Sequence, residues 1–99
     1  MKNRHPVLAR LDILVGRWRV QPQVEGVGEA WAEFSWQDDG FLRQYSDVDS
    51  IPESTPQLWR DNAPFPTVEL FGLDDASDEF TMLYADGRGV HRVYRMTFA

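Results

Sequence analysis

The sequence predicts a mainly β domain: a short N-terminal helix, then an antiparallel meander of about six strands forming a barrel or sandwich. Three observations carry this. The apolar period drops from about 3.6 residues to 2 after Gly16. Turn-forming clusters at Asp38-Asp39-Gly40, Asp74-Asp75-Ala76-Ser77-Asp78 and Asp86-Gly87-Arg88-Gly89 join alternating runs at short spacing. Such spacing leaves no room for the helices of parallel βαβ units. Finally, 99 residues with 42% hydrophobic and 13% aromatic content make one folded domain, 1–99, rather than a disordered chain.

The helix is expected over 6–15. Pro6 suits a first helical position, and Val7, Leu8, Leu11, Leu14 and Val15 gather on one side. Gly16 suits the residue past its end, where positive φ is cheap. Strands are expected across 17–98. Arg17 to Gln21 alternates. From Gly28 to Gln37, Ala30, Ala32, Phe34 and Trp36 share one face, and Trp31 is the apolar exception on the other. Asp38-Asp39-Gly40 is a hairpin turn, its Asp-Gly pair accepting positive φ. Phe41 to Asp49, Val68 to Leu73, Glu79 to Ala85 and Val90 to Phe98 complete the set. The proline-rich stretch 50–66 holds Pro52, Pro56, Pro64 and Pro66, which no central strand accepts, together with Leu58, Trp59 and Phe65. A packed loop or lid is expected there.

Composition excludes several classes. Ten basic against 16 acidic residues, a net charge of -6, lack the clustered Lys and Arg of a nucleic-acid surface or an anionic-lipid surface. No apolar run spans a bilayer. Arg10 and Asp12 interrupt the stretch where a signal peptide needs unbroken apolar residues, so a cytoplasmic location is expected. The absence of cysteine removes disulfides, thiolate metal sites and thiol nucleophiles.

Gly16-Arg17-Trp18 after a short helix matches the Gly-x-Trp pattern of lipocalin-like (calycin) barrels. Leu11 to Trp18, Phe34-Ser35-Trp36 running into Gly40-Phe41-Leu42, and Tyr84 to Met96 resemble a bacterial family of lipocalin-like, nitrobindin-like single-domain proteins. The resemblance covers about 6–98. It implies a small antiparallel β-barrel whose Trp18 plugs one end, and no established activity. Two departures stand out. Residues 53–66 are longer and richer in proline than the family's connection. Family members also continue through further strands after the Met-containing one, whereas this chain ends at Thr97-Phe98-Ala99. The histidine that ligates haem in nitrobindin-like proteins comes from that later segment, so no haem ligand and no other cofactor is expected.

A ligand-holding closed barrel needs roughly eight strands. Six leave an incomplete or open lipocalin-like barrel with two exposed edges. A fragment of a longer barrel, or a homodimer paired through those edges, is expected ahead of a self-sufficient half-barrel with the helix over one opening.

In the last strand, Val90, Arg92, Tyr94, Met96 and Phe98 share the more apolar, inward face; His91, Val93, Arg95 and Thr97 share the other. An inward Arg92 needs a partner. A carboxylate (Asp47, Asp49 or Glu69) or the ring of Trp18 would be structural; an acidic ligand would be functional. Tyr45, Tyr84 and Tyr94 are expected to converge on the same interior, as pocket walls or as plain core. Trp36 joins them as a candidate ligand contact, with core packing its alternative. His5 and His91 lie far apart with no third ligand at metal spacing, so no metal site is expected. Asp47 and Asp49 share a wet strand face. No phosphate loop, nucleophile elbow or catalytic triad is present, and the single lysine, Lys2, lies at the chain end. The leading reading is a non-enzymatic binder of a small apolar or weakly acidic molecule. The alternatives are a small hydrolase or isomerase using Asp47, Tyr84 or His91, and an assembly module pairing through open sheet edges.

Overall fold

The computed structural model describes residues 5–20, 30–49, 51 and 53–97. Among these residues six strands form one antiparallel sheet in sequence order: β1 Gly16–Val20, β2 Ala30–Gln37, β3 Phe41–Val48, β4 Thr67–Asp74, β5 Glu79–Asp86 and β6 His91–Met96. The mainly β meander is present, and among the described residues the sheet is not closed, with β1 and β6 as its edges. The radius of gyration is 15.5 Å, against about 13 Å for a compact chain of this length. The expected strand residues Gln21, Gly28, Glu29 and Phe98, and Ser50 and Pro52 of the loop, lie outside the described residues.

The register sorts side chains into two faces, because residues directly opposite in an antiparallel pair point the same way. One row runs Gly16, Phe34, Gln44, Glu69, Tyr84, Arg92; its neighbour runs Trp36, Leu42, Phe71, Met82, Tyr94. These rows make the inner face. Burial is deepest on β3, where Leu42 is 0% exposed and Gln44 and Ser46 are buried. It fades to β6, of which only Met96 is not exposed. Leu8, Ala30, Ala32 and Leu42 are the buried apolar residues among those described.

The helix expected over 6–15 is a 3-10 helix, Leu8–Leu14. Its apolar spacing explains this. Side chains three apart eclipse in a 3-10 helix, and Leu8, Leu11 and Leu14 are the members turned from solvent, while Arg10, Asp12 and Ile13 are exposed. The helix straps one end of the inner face. Trp18 Nε1 donates to the Leu14 carbonyl (2.7 Å), Trp36 Nε1 to Asp12 Oδ1 (2.6 Å), and the His5 ring meets Phe80 edge-on at 5.2 Å. Those three partners lie on β1, β2 and β5, so the segment crosses most of the sheet. Gly16 has φ +130, as its place after the helix predicts.

Turn chemistry departs from expectation in one detail. In the β2–β3 hairpin the positive φ values fall on Asp38 and Asp39 (55° each), while Gly40 N donates to the Gln37 carbonyl at 2.9 Å. Aspartate tolerates this conformation, and two such residues in succession match the twist of the flanking strands. The proline-rich stretch also contains a short helix, α1 Gln57–Asn62, that the reading of prolines as strand breakers did not include. Pro56 stands at its N-cap position, its carbonyl accepting from Trp59 N and Arg60 N at 3.0 Å each, and Gln57 Nε2 donates to Asp61 Oδ1 at 2.8 Å. The stretch is fastened to the β5–β6 turn. Gly87 N donates to the Pro66 carbonyl at 2.8 Å, after a cis Phe65–Pro66 peptide. A Cβ at position 87 would lie 3.0 Å from Phe65 C and from Pro66 Cδ, so only glycine lets the two segments approach this closely.

Candidate functional site

The polar residues of the inner face gather where β5 and β6 turn. Asp86 closes that turn as an Asx-type cap. Its carboxylate accepts from Arg88 N (2.8 Å), Arg88 Nη2 (2.7 Å) and Tyr84 Oη (2.6 Å). These bonds, first among them the Arg88 side chain, hold Asp86 well below the usual carboxylate range. The Tyr84 phenol is pushed up, by burial first and then by Asp86, so it remains a donor.

Beside this cap stands Arg92, opposite Tyr84 in the β5–β6 register. Its guanidinium lies 5.8 Å from the Tyr84 ring centroid, and Nη1 donates to Tyr94 Oη at 3.3 Å. The rings of Tyr84 and Tyr94 meet at 6.5 Å and 88°. The strand pleat explains the grouping. Arg92 and Tyr94 are two apart and share a face, and Tyr84 stands across from Arg92 on the next strand. At the turn itself the Arg88 and Arg92 guanidiniums stand with the Asp86 carboxylate, and the Glu69 carboxyl follows one strand beyond Arg92's neighbour Tyr84.

Farther along the row, Glu69 faces Tyr84 on one side and Gln44 on the other. Burial alone pushes the Glu69 carboxyl above its ordinary value. Gln44 is 5% exposed; its Nε2 donates to Ser46 Oγ, and its Oε1 is buried without a partner.

The structure therefore brings Tyr84, Arg92 and Tyr94 together and separates the other two candidates from them. Tyr45 stands on the outer face, because it opposes Glu33 and Val68 rather than the inner row. There it packs against Trp31 (5.6 Å) and the Arg43 guanidinium (5.3 Å), with Arg17 over Trp31 at 4.2 Å. A tyrosine one residue off the inner parity cannot join the other two, which corrects the expected convergence. Trp36 is on the inner face, but its indole is spent on Asp12 of the 3-10 helix, four strands from Tyr94. Arg92 takes no expected structural partner: neither Asp47, Asp49, Glu69 nor Trp18 meets it. Edge-strand exposure removes the desolvation cost that made such a partner necessary. Asp47 instead accepts from Val48 N at 2.8 Å. Sequence reasoning offered Glu69 only as a counter-ion and passed over Gln44; a glutamine and a glutamate at inner-parity positions were the signal.

Apolar hollows lie beside and beyond this polar row. One, of about 670 Å³, sits at the tip of the β2–β3 hairpin between His5, Leu8, Phe41, Gly72 and Leu83. A second, of about 350 Å³, runs along the outer face over Val68, Leu70, Leu83 and Val93 and reaches Tyr84 and Arg92 at the β6 edge. Among the described residues no group of three His, Cys, Asp or Glu could hold a metal, and no helix is long and apolar enough to cross a membrane. No protein-family model, curated protein or solved structure matches the chain.

Proposed function

We propose that the protein binds a small, mostly apolar carboxylic acid on the inner face of its sheet, as the wall of a lipocalin-like barrel, and performs no chemistry on it. The observation that carries this is Arg92. Its guanidinium faces the inner side with no carboxylate partner among the described residues, and two tyrosines flank it. A guanidinium fork is complementary to a carboxylate, and Tyr94 Oη supplies a second polar contact. The neighbouring side chains of Phe71 and Met82 offer carbon surface for the rest of the ligand. Asp86 is no candidate base, because Arg88 and Tyr84 keep it ionised and occupied.

The test is intrinsic tryptophan fluorescence titrated with fatty acids, their methyl esters, porphyrins and flavins. The acids are expected to quench and their esters not, and Arg92→Met should abolish the response to acids while leaving the circular dichroism spectrum unchanged. A flat response to the whole panel refutes the reading.

A second reading, assembly through the sheet edges as a homodimer, draws on Val93 (69% exposed) and Leu83 beside the open β6 edge. Against it, both edges bear charged side chains, Arg17 on β1 and Arg92 on β6 among them, which disfavour edge-to-edge pairing. Size-exclusion chromatography with light scattering decides between them: a monomer of 11.5 kDa refutes assembly.

A further inference from the structure

We propose that the ligand carries a second polar group, a hydrogen-bond donor such as a hydroxyl or an ammonium, received by Glu69 and Gln44 while its carboxylate sits at Arg92. This rests on the binding reading above. The inner row is polar in a directed way: Gln44, Glu69, Tyr84 and Arg92 stand side by side on β3, β4, β5 and β6.

At one end are acceptors without donors. Gln44 is almost wholly buried, and its Oε1 has no partner. Glu69, directly across from it, is half-buried with no hydrogen bond or ion pair to its carboxylate among the described residues, and burial raises its affinity for a proton. Buried acceptors left unpaired are costly, and native structures hold few of them. At the other end are donors without an anion among the described residues, Arg92 and the Tyr94 hydroxyl. The Tyr84 ring lies between.

A plain monocarboxylate satisfies only the Arg92 end. A molecule with a carboxylate at one end and a donor at the other satisfies both. The span is set by the sheet: β4 and β6 are two inter-strand steps apart, on the order of 10 Å. That is the length of a medium-chain acid substituted at its far carbon. The competing account is that Glu69 keeps its own proton and gives it to Gln44, in which case a donor on the ligand gains nothing.

Isothermal titration calorimetry on the full chain at neutral pH separates these, with octanoate, ω-hydroxyoctanoate and ω-aminooctanoate as probes. The two ω-substituted acids are expected to bind on the order of tenfold more tightly than octanoate. Glu69→Leu should erase that preference while still binding octanoate, with an unchanged circular dichroism spectrum. Glu69→Gln, which keeps the side-chain shape, should lose the gain for the ω-amino acid. Arg92→Met should weaken all three. Equal affinities in the wild type, or a preference that survives Glu69→Leu, overturn the inference. Octanoate binding that Arg92→Met abolishes, without any ω preference, does so while the carboxylate reading stands. No binding by any probe overturns both.

Discussion

Leu42→Ala tests whether the inner face is the true core of this open sheet. Leu42 is 0% exposed, on the most buried strand, between Trp36 and Phe71 across the two ladders. Truncation removes three carbons, worth about 2.4 kcal/mol at ~0.8 kcal/mol per buried methylene. The void left behind adds to this, for a total of about 3–4 kcal/mol. That is a large share of a domain stability on the order of 5–15 kcal/mol, and few apolar side chains are buried this deeply. Leu58→Ala is the control: the same chemistry at a side chain 78% exposed on α1, where the expected loss is under about 0.5 kcal/mol. Urea unfolding followed by circular dichroism gives both values from the shift in midpoint at constant slope. A loss below about 1 kcal/mol for Leu42→Ala, or equal losses at the two positions, would show that the sheet does not bury this face and would refute the reasoning.

Two further predictions concern positions that link the site to the fold. The Glu69 carboxyl binds its proton more tightly folded than unfolded, so its contribution favours folding at low pH and is lost as pH rises through the folded-state value. Glu69→Gln is therefore expected to be more stable than the wild type at neutral pH and equal to it below about pH 4, as read from urea midpoints across pH; a neutral-pH loss sinks this. Gly87→Ala drives a Cβ against Phe65 C and Pro66 Cδ and breaks the bond to the Pro66 carbonyl. The expected cost is about 1–3 kcal/mol, read as a lowered thermal midpoint, and an unchanged midpoint would show that the loop and turn are not fastened.

Local patterns carried much of the architecture. Period-2 alternation marked all six strands to within a few residues, and the Asp-rich and Gly-containing clusters marked the hairpins, because side-chain direction in a strand depends only on parity. The same parity placed Arg92, Tyr94 and Met96 on one face. It failed for Tyr45, since faces on different strands are related only through register, and nothing local shows that Tyr45 opposes Glu33 and Val68. The helix was legible as apolar spacing, and the three-residue interval of Leu8, Leu11 and Leu14 matches its 3-10 form. The α1 turn was hidden because prolines that exclude a strand also begin helices.

The candidate site divides the same way. Residue types and the two-residue pleat were enough to nominate Arg92, Tyr84 and Tyr94 as neighbours. That Arg92 needs no structural counter-ion, that Trp36 is committed to Asp12, and that Gln44 and Glu69 form an acceptor pair beside Tyr84 all depend on which strands lie at the edge and which at the centre. Edge or centre is a property of the whole sheet. It sets how much water each side chain loses, and desolvation, not residue type, decides what a charged or polar group must find as a partner.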